Sequence, residues 1–430
     1  MTVARQRSFL CTALRQRAQV HWRYGRDERM RQRPAPMISQ PNGPLVMATS
    51  TNMNKAAAVN SMPSVRPAPA VAIDLFAGGG GLTEGLRIAG FVVCAAVETE
   101  SAACDTYSAN HPGTVLFRRD IRSVSADELR STSPTGHVDL IAACPPCQGF
   151  SSLTSKYKRA DPRNELIFDF VRFALAIRPA MVMMENVPGL ASKGASTFEA
   201  AMSQLRAAGY VLTSAVVDVA DFGIAQNRKR LVVLGSLTGE VAIPRPTHSR
   251  DGSGSTEPWV TVRDAIHGMS RPPTLLASHK QGGPQVHNWH VVRSMSSANV
   301  ERLRFSRPGQ SRSDIPKSLR PKCHRATDTG FSNVYGRMAW TQPSPTITGG
   351  CTTLSKGRFG HPSQLRTISV REAALLQSFS ETYKFATDHM EKACSIIGNA
   401  LPPRFAAAMA AACMRRIQQG DVNGPEGVSA

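Results

Sequence analysis

The stretch VAIDLFAGGGG, residues 71–81, decides the predicted fold. Its first six residues form the short apolar run of a buried strand, and four glycines follow after Ala77. The next segment, LTEGLRIAG at 82–90, has the apolar spacing of a helix. Together the segments predict a strand, a tight glycine turn and a helix.

The same unit recurs along the chain. Further apolar runs predict strands, and ELIFDFVRFALAI at 165–177 predicts a helix that Pro179 stops. Alternating strands and helices favour an α/β fold with a doubly wound, mostly parallel, Rossmann-like sheet. The additional predicted strands are FVVCAAVE (91–98), VDLIAAC (138–144) and MVMMENV (181–187).

The sheet is predicted to end in an antiparallel pair. YVLTSAVVDV (210–219) and RLVVLGS (230–236) both read as strands, with no helix-length segment between them. Residues 237–335 then lose apolar periodicity and fill with Pro, Gly, Ser, His and Arg; positions 238–335 hold fourteen Lys and Arg against seven acids. This composition indicates a smaller, loop-rich, basic second domain.

The overall charge points to a polyanionic partner. The chain has 430 residues and a net charge of +20, of which residues 1–70 contribute +9. That leader has no apolar periodicity and is expected to be disordered. No apolar run reaches the roughly 18 residues of a membrane span, so no membrane association is expected. Nine scattered cysteines, without the apolar core of a signal peptide, favour a reducing compartment.

The segment CPPCQGFS at 144–151 admits four interpretations: a disulfide, half of a zinc site, a redox couple, or one nucleophile beside a bystander. Zinc requires a second CxxC or a spaced His pair, which Cys323-His324 and Cys351 do not supply. Two prolines between the cysteines are unusual in thioredoxin-like redox pairs.

Polar residues follow the predicted strands at the edge where ligands bind in open parallel sheets. Glu98 lies 20 positions after Gly78, a spacing that suits a carboxylate gripping ribose hydroxyls. Because the glycine loop is not GxGxxG, a nucleoside without a pyrophosphate, such as S-adenosylmethionine, fits better than a dinucleotide. A plain glycine turn beside a solvated glutamate is the alternative.

Two more groups are expected near CPPC. Glu185 and Asn186 end the neighbouring strand, where an apolar setting would let Glu185 carry a proton at neutral pH; a cap or ion-pair role is the alternative. In an extended QNRKR segment, Gln226, Arg228 and Arg230 share one face. Their guanidiniums could hold a phosphate, orient a carbonyl or activate a thiol, or simply form a solvated basic edge.

The order of these segments resembles that of the cytosine-5 DNA methyltransferases. The first motif of that family is similar to DLFAGGGG, and its nucleophile loop is similar to PPCQGFS. The resemblance covers roughly 71–236 and 335–415. The other matching segments are ENV (185–187), QNRKR (226–230), SPTIT (344–348), REAALLQSF (371–379) and GNALPP (398–403).

The resemblance implies a role for each matching residue. Catalytic roles fall on Cys147, Glu185, Arg230 and Arg228. Substrate-binding roles fall on Gln148, Ser151, Asn186 and Gln226, and no metal is implied. S-adenosylmethionine would be bound by Asp74, Phe76, Ala77, Gly78, Gly80, Glu98, Asp120, Pro146 and Asn399.

The resemblance, together with the composition and position of the segments outside it, predicts a domain order: a disordered basic leader, a catalytic and cofactor-binding domain, a target recognition domain, a return to the catalytic domain, and a flexible tail. These parts are assigned to 1–70, 71–236, 237–335, 336–420 and 421–430. The implied protein is a monomeric, cytoplasmic, bacterial enzyme, associated with the nucleoid. It would methylate carbon 5 of a flipped-out cytosine in a specific sequence of double-stranded DNA, in functional pairing with a restriction endonuclease.

Two alternatives remain on the same scaffold. A tRNA cytosine-5 methyltransferase usually shows PPCQPF followed by Thr, whereas Gly149 and Ser151 stand here and favour DNA. A non-catalytic DNA-binding relative would not be expected to keep its catalytic groups. Departures from the family pattern are Lys229 for glutamate, Leu401 for valine and Cys144 for glycine. Cys144 is expected to be a small buried hydrophobe with an inert thiol.

Overall fold

The central element of the fold is a seven-stranded sheet. The computed structural model describes residues 69–147, 161–325 and 332–422. The strand order across the sheet is β3-β2-β1-β4-β5-β7-β6. The strands are β1 (Val71–Leu75), β2 (Val92–Glu98), β3 (Val115–Arg118), β4 (Leu140–Ala143), β5 (Met181–Asn186), β6 (Val211–Asp218) and β7 (Lys229–Ser236), and a separate short pair is β8 (His248–Ser249) with β9 (Glu257–Pro258).

The predicted α/β sheet is confirmed, and so is its antiparallel pair. Strands β1 to β5 pair in parallel, whereas β7 runs antiparallel to both β5 and β6. Only a 3-10 turn, Val219–Phe222, lies in the connection from β6 to β7, which is too short for a parallel crossover. The structure adds that β7 inserts between β5 and β6. Its amino end therefore lies at the edge where β5 ends.

Helices flank the sheet, and the predicted helix 165–177 is confirmed from Ile167 onward. In the described part of the chain, no helix is long and apolar enough to cross a membrane. The helices are α1 (Gly81–Ile88), α2 (Ser101–Asn110), α3 (Ala126–Arg130), α4 (Ile167–Ile177), α5 (Ala195–Ala207), α6 (Val262–Ile266), α7 (Leu275–His279), α8 (Ser297–Phe305), α9 (Val370–Leu376), α10 (Met390–Asn399) and α11 (Pro403–Val422).

The sheet has a different hydrophobic cluster on each face, because successive side chains of a strand point to opposite sides. In β4, Ile141 and Ala143 join the cluster that contains residues of α4 and α5. Leu140 and Ala142 join the cluster that contains residues of α1 and α11. We call these the α4 face and the α11 face.

The α11 face is closed by two helices in close contact. A Cβ on Gly85 of α1 would lie 2.4 Å from the Cβ of Ala406 in α11, so only a glycine fits there. Helix α11 begins at Pro403, directly after Pro402, as the sequence predicts. Proline is harmless at this position because the first amides of a helix have no partner within it.

The middle segment shares a hydrophobic cluster with the C-terminal part of the chain. Trp289 is 1% exposed, and its Nε1 donates to the carbonyl of Phe385 at 2.9 Å. Val262 and Ile266 of α6 belong to the same cluster as Val370 of α9. Residues around 260–292 are therefore held against the chain that follows residue 335.

A buried ion pair anchors the start of α9. A capping box begins this helix, in which the Ser369 side chain accepts from the amide of Glu372 and the Glu372 side chain accepts from the amide of Ser369. Arg366 donates two hydrogen bonds, each of 2.7 Å, to the same carboxylate. Burial is the largest single effect and raises the pKa of Glu372, but the bonds and charge of Arg366, together with the Ser369 amide and His361, hold it below its ordinary value.

We expect Arg366→Met to lower the free energy of unfolding by about 3–5 kcal/mol, because it leaves a fully buried carboxylate without its cation. The measurement is urea unfolding followed by circular dichroism. The control is Arg206→Met, which breaks the exposed pair with Glu199 and should cost less than about 1 kcal/mol. Equal losses in the two variants would contradict this account of the pair.

Candidate active site

One edge of the sheet collects the residues predicted for catalysis. The parallel strands β4 and β5 end there, carrying Cys147 just beyond β4 and Glu185 near the end of β5. Because β7 is antiparallel, its first residues, including Arg230, reach the same edge. The predicted neighbours are thus assembled from three adjacent strands.

Glu185 and Arg230 form the central contact of this site. The Arg230 Nε lies 2.5 Å from the Glu185 Oε1, and the two side chains are 11% and 10% exposed. An ion pair this short, between two side chains that are almost out of solvent, restrains both groups. Arg230 also donates from Nη1 to the carbonyl of Lys229 at 2.7 Å. The carboxylate of Glu185 is therefore held in one orientation from the β7 side.

Asn186 fixes the loop that carries Cys147. Its Nδ2 donates to the carbonyl of Pro145 at 3.1 Å, and its Oδ1 accepts from the amide of Val187 at 2.8 Å. These bonds tie the end of β5 to the segment two residues before Cys147. The substrate contact predicted for Asn186 stays a prediction.

The two cysteines of CPPC lie in different surroundings. Cys147 is partly buried and packs against the cluster of the α4 face, whereas Cys144 packs against that of the α11 face. Burial raises the pKa of Cys144 well above its ordinary value, and the neighbouring carboxylates of Glu185 and Asp74 add to the effect. A thiol in this position is a poor nucleophile. The expectation of a small buried hydrophobe with an inert thiol did not include the two carboxylates.

Arg228 and Gln226 point into the protein and join distant segments. Arg228 is 4% exposed and donates to the carbonyls of Ile347 and Gly398, at 2.9 and 3.0 Å. Gln226 donates to Gln377 Oε1 at 2.6 Å and accepts from the amide of Ile347 at 2.7 Å. These bonds hold the SPTIT and GNALPP segments beside β7. The contacts with substrate predicted for both residues stay predictions.

The glycine turn lies beside Glu98, as the spacing of twenty residues suggests. One carboxylate oxygen of Glu98 accepts from the amide of Gly78 at 2.8 Å, and the other accepts from the amides of Thr99 and Glu100, at 2.6 and 2.8 Å. The last residue of β2 is therefore fixed against the turn that follows β1.

The four glycines meet different requirements. Gly78 and Gly80 have φ of +55° and +92°, which favour glycine. A Cβ on Gly79 or Gly81 would lie 2.4 Å from Ile396 or 2.6 Å from the carbonyl of Leu401. A Cβ on Gly80 would collide with His111 at 2.5 Å, but one on Gly78 would meet nothing within 4 Å. Open space therefore lies only over the first glycine of the run.

Asp74 is fully buried on β1. Its Oδ2 accepts from the Thr83 hydroxyl at 2.7 Å, and that hydroxyl lies 2.8 Å from the Tyr107 hydroxyl. Burial raises the pKa of Asp74 to about 7, although the Thr83 bond opposes the effect. Its Oδ1 has no hydrogen-bond partner among the described residues. The direct contact with a cofactor predicted for Asp74 stays a prediction.

The other predicted cofactor residues lie at three strand ends and at the end of α10. Phe76, with φ of +61°, and Ala77 begin the turn after β1, and Pro146 follows β4. Asp120 follows β3, and its bonds with Arg122 lower its pKa to about 2. Asn399 ends α10 and donates to the Ser395 hydroxyl at 3.3 Å. The predictions for Gln148 and Ser151 lie outside the described residues.

Sequence reasoning missed a polar network behind the glycine turn. The Tyr383 hydroxyl donates to the carbonyl of Gly79 at 2.5 Å and lies 3.0 Å from His111 Nε2. Burial lowers the pKa of His111 to about 4, so the ring is neutral at pH 7. Tyr383 lies far away along the chain, and no local pattern indicates the contact. Across residues 69–147, 161–325 and 332–422, no cluster of acidic, His and Cys side chains is arranged for a metal ion.

Comparisons with known proteins agree with this architecture. The type II methylase M.HgiDII of Herpetosiphon aurantiacus is 35% identical over 351 residues, covering 80% of this chain and 95% of that protein. The type II methyltransferase M1.HphI of Haemophilus parahaemolyticus is 34% identical over 348 residues, covering 80% and 86%. In fold, the chain resembles a prophage-encoded methyltransferase of E. coli, with a TM-score of 0.62 and 23% identity over 81% of this chain and 99% of that one.

A family model confirms the resemblance drawn from the motifs. The model described as C-5 cytosine-specific DNA methylase matches residues 71–415. This match spans the sheet, the middle segment and the C-terminal part that returns to the sheet. The chain belongs to the C-5 cytosine-specific DNA methylase family.

Proposed function

We propose that this DNA cytosine-5 methyltransferase transfers a methyl group from S-adenosylmethionine to cytosine in double-stranded DNA through a covalent intermediate on Cys147. The observation that carries the proposal is the meeting of Glu185, Arg230 and the Cys147 loop at one sheet edge. The glycine turn and Glu98 lie at the same edge. The type II names of the relatives support DNA as the substrate.

The glycine turn fits a nucleoside cofactor. Gly78 borders open space, and Glu98 beside it is only partly buried, so its oxygens can accept ribose hydroxyls. Phe76 is partly buried at the start of the turn, where its ring can pack against an adenine or the methionine chain. S-adenosylmethionine would supply the methyl group, and these residues would hold it.

The proposed chemistry begins at the ring of the cytosine. The Cys147 thiolate adds to carbon 6 while Glu185 donates a proton or a hydrogen bond to nitrogen 3, which makes carbon 5 nucleophilic. Carbon 5 takes the methyl group and then loses its proton to a base. The electrons of that C–H bond restore the ring double bond, and the Cys147 thiolate leaves carbon 6. Any proton that nitrogen 3 received returns to Glu185.

Arg230 has two tasks in this scheme. Its Nε holds the carboxylate of Glu185, which keeps that group aimed at one place. Its charge, in a site where few side-chain atoms are exposed, also favours the thiolate form of a nearby cysteine. Arg228 supports the site from behind by binding the carbonyls of Ile347 and Gly398.

The target base has to leave the duplex, because a stacked ring cannot be attacked from its face. Flipping costs a few kcal/mol, which contacts elsewhere must offset. We assign these contacts to residues 237–335, as a target recognition domain, because the composition of that segment is basic. The leader 1–70, also basic, would add non-specific affinity.

DNA affinity should fall steeply with salt. Each phosphate neutralised by a Lys or Arg releases counterions, so the slope of log K against log salt is about −0.9 per contact. The slope is measured by fluorescence anisotropy with a labelled duplex, at KCl concentrations from about 50 to about 300 mM. A nearly flat dependence would contradict phosphate binding by the basic segments.

A methyl-transfer assay with labelled S-adenosylmethionine tests the function. We expect label in duplex DNA and none in tRNA, with bisulfite sequencing showing the modified cytosines in one sequence context. Label in tRNA alone would establish the RNA alternative, and no label in either would favour a non-catalytic relative. We also propose a cytoplasmic monomer near the nucleoid, paired with a restriction endonuclease; the type II names of the relatives support that pairing.

A further inference from the structure

The C-terminal part of the chain packs directly against the glycine turn. A Cβ on Gly79 would lie 2.4 Å from the side chain of Ile396 in α10, and one on Gly81 would lie 2.6 Å from the carbonyl of Leu401. A Cβ on Gly78, by contrast, would meet nothing within 4 Å. The turn therefore has protein packed against Gly79 and Gly81 and open space over Gly78.

The peptide group between Gly79 and Gly80 is held at both of its polar atoms. Its N–H, on Gly80, donates to the carbonyl of Ala77 at 2.9 Å. Its carbonyl, on Gly79, accepts from the Tyr383 hydroxyl at 2.5 Å. Because a peptide group is planar, with its N–H and C=O pointing in opposite directions, these two bonds fix the orientation of the plane. A run of four glycines has many other conformations open to it, so this restraint selects one of them.

The end of α2 holds Tyr383 in place. The Tyr383 hydroxyl lies 3.0 Å from His111 Nε2, and since the hydroxyl gives its hydrogen to the turn, Nε2 donates to it. The Asn110 side chain donates to the carbonyl of Lys384 at 2.8 Å and accepts from its amide at 2.9 Å. Tyr383 itself is 3% exposed. Its hydroxyl therefore points at the turn from a fixed, buried position.

We propose that Tyr383 is a positioning residue for S-adenosylmethionine, whose hydroxyl holds the peptide between Gly79 and Gly80 in the orientation that the bound cofactor requires. The turn is then ordered before the cofactor arrives, so binding does not bear the cost of ordering it. Tyr383 acts through the turn and takes no part in the chemistry. This inference rests on the proposed function of the glycine turn as the cofactor site.

The test is Tyr383→Phe in the full chain, which removes the hydroxyl and keeps the ring. Titration calorimetry with S-adenosylmethionine should show a Kd about tenfold higher, because the buried carbonyl of Gly79 loses its hydrogen bond. In labelled methyl transfer to unmethylated bacteriophage DNA, the KM for S-adenosylmethionine should rise in parallel. The kcat at saturating cofactor and the KM for DNA should stay within about twofold, as expected when only cofactor binding is weakened.

Tyr210→Phe is the matched control. Tyr210 is 2% exposed, and its hydroxyl donates to the carbonyl of Pro179 at 2.8 Å, just before β5 begins. The control loses the same kind of buried bond, and so should lower the melting temperature about as much as Tyr383→Phe does, but it should leave the Kd for S-adenosylmethionine unchanged. A folded Tyr383→Phe variant with the wild-type Kd overturns the inference. An equal loss of affinity in both variants also overturns it, because the effect would then reflect stability alone.

A second variant serves if Tyr383→Phe does not fold. His111→Leu removes the donor to the Tyr383 hydroxyl, and it should raise the Kd for S-adenosylmethionine about threefold, a smaller effect because it acts through Tyr383. The wild-type Kd in folded His111→Leu would then overturn the inference. If the wild-type protein itself bound no S-adenosylmethionine, the proposed function would fail, and the inference with it.

Discussion

Replacing Cys147 with serine should abolish methyl transfer, with a fall in kcat of roughly 10⁴-fold or more. An ordinary cysteine with a pKa near 8.5 is about one tenth ionised at pH 7.5, whereas a serine hydroxyl is hardly ionised at all. The addition to carbon 6 therefore loses its nucleophile, and the ring is never activated at carbon 5.

The Cys147→Ser variant should still fold and bind its ligands. Its melting temperature, its affinity for S-adenosylmethionine and its affinity for duplex DNA should remain near those of the wild-type protein. The rate is measured by transfer of labelled methyl groups at saturating concentrations of both substrates. A residual rate above about one hundredth of the wild-type rate would rule out Cys147 as the nucleophile. Even the loss of a general acid usually lowers the rate by about that factor, and the loss of the nucleophile should cost more.

Replacing Glu185 with glutamine should lower kcat by about 10²–10⁴-fold, the usual contribution of a positioned general acid. Glutamine has nearly the same shape and keeps an oxygen that can face Arg230 Nε, but it has no carboxyl proton to give to nitrogen 3. The KM for DNA should change much less than kcat. The measurement is the same labelled transfer assay, with initial rates over a range of DNA concentrations.

The control for this prediction is Glu199→Gln. Glu199 forms an exposed pair with Arg206 on α5, and its charge is screened by solvent. This change should leave kcat unaltered, which shows that removing one negative charge is not itself harmful. If Glu185→Gln were as active as Glu199→Gln, nitrogen 3 would have to receive its proton from elsewhere.

The fold could be predicted where local signals are strong. Segments of fewer than about ten residues were enough to predict four strands, because each is a short apolar run. These strands are β1, β2, β4 and β5, and the glycine turn after β1 could be predicted in the same way. The strand β3, Val115–Arg118, has half-exposed residues and no such signal. The insertion of β7 between β5 and β6 depends on which edges pair in three dimensions, so the sequence predicted the antiparallel pair but not its place.

The position of the site in the fold could be predicted from the sequence, but the orientation of its side chains could be predicted less well. Residues at the ends of parallel strands must gather at one edge, which predicted that Glu185 lies near the PPC segment, but the ion pair of Glu185 with Arg230 depends on the antiparallel insertion of β7. The alternation of side chains along a strand could not reveal the hydrogen-bond partners of Gln226 and Arg228. Gln226 donates to Gln377, and Arg228 donates to Ile347 and Gly398, which all lie more than a hundred residues away. The adjacency of Cys144 and Glu185 on neighbouring strands also depends on strand register, which the sequence does not reveal.

The most direct test of the account is to locate the covalent bond in the trapped complex. A duplex with 5-fluorocytosine at the target should hold the enzyme after methyl transfer, because fluorine cannot leave carbon 5 as a proton does. Tryptic digestion gives one peptide, residues 131–156, that contains both cysteines, and fragmentation between them separates Cys144 from Cys147. We expect the nucleotide mass on Cys147. A nucleotide on Cys144, or no adduct from a protein that methylates ordinary cytosine, would contradict the account.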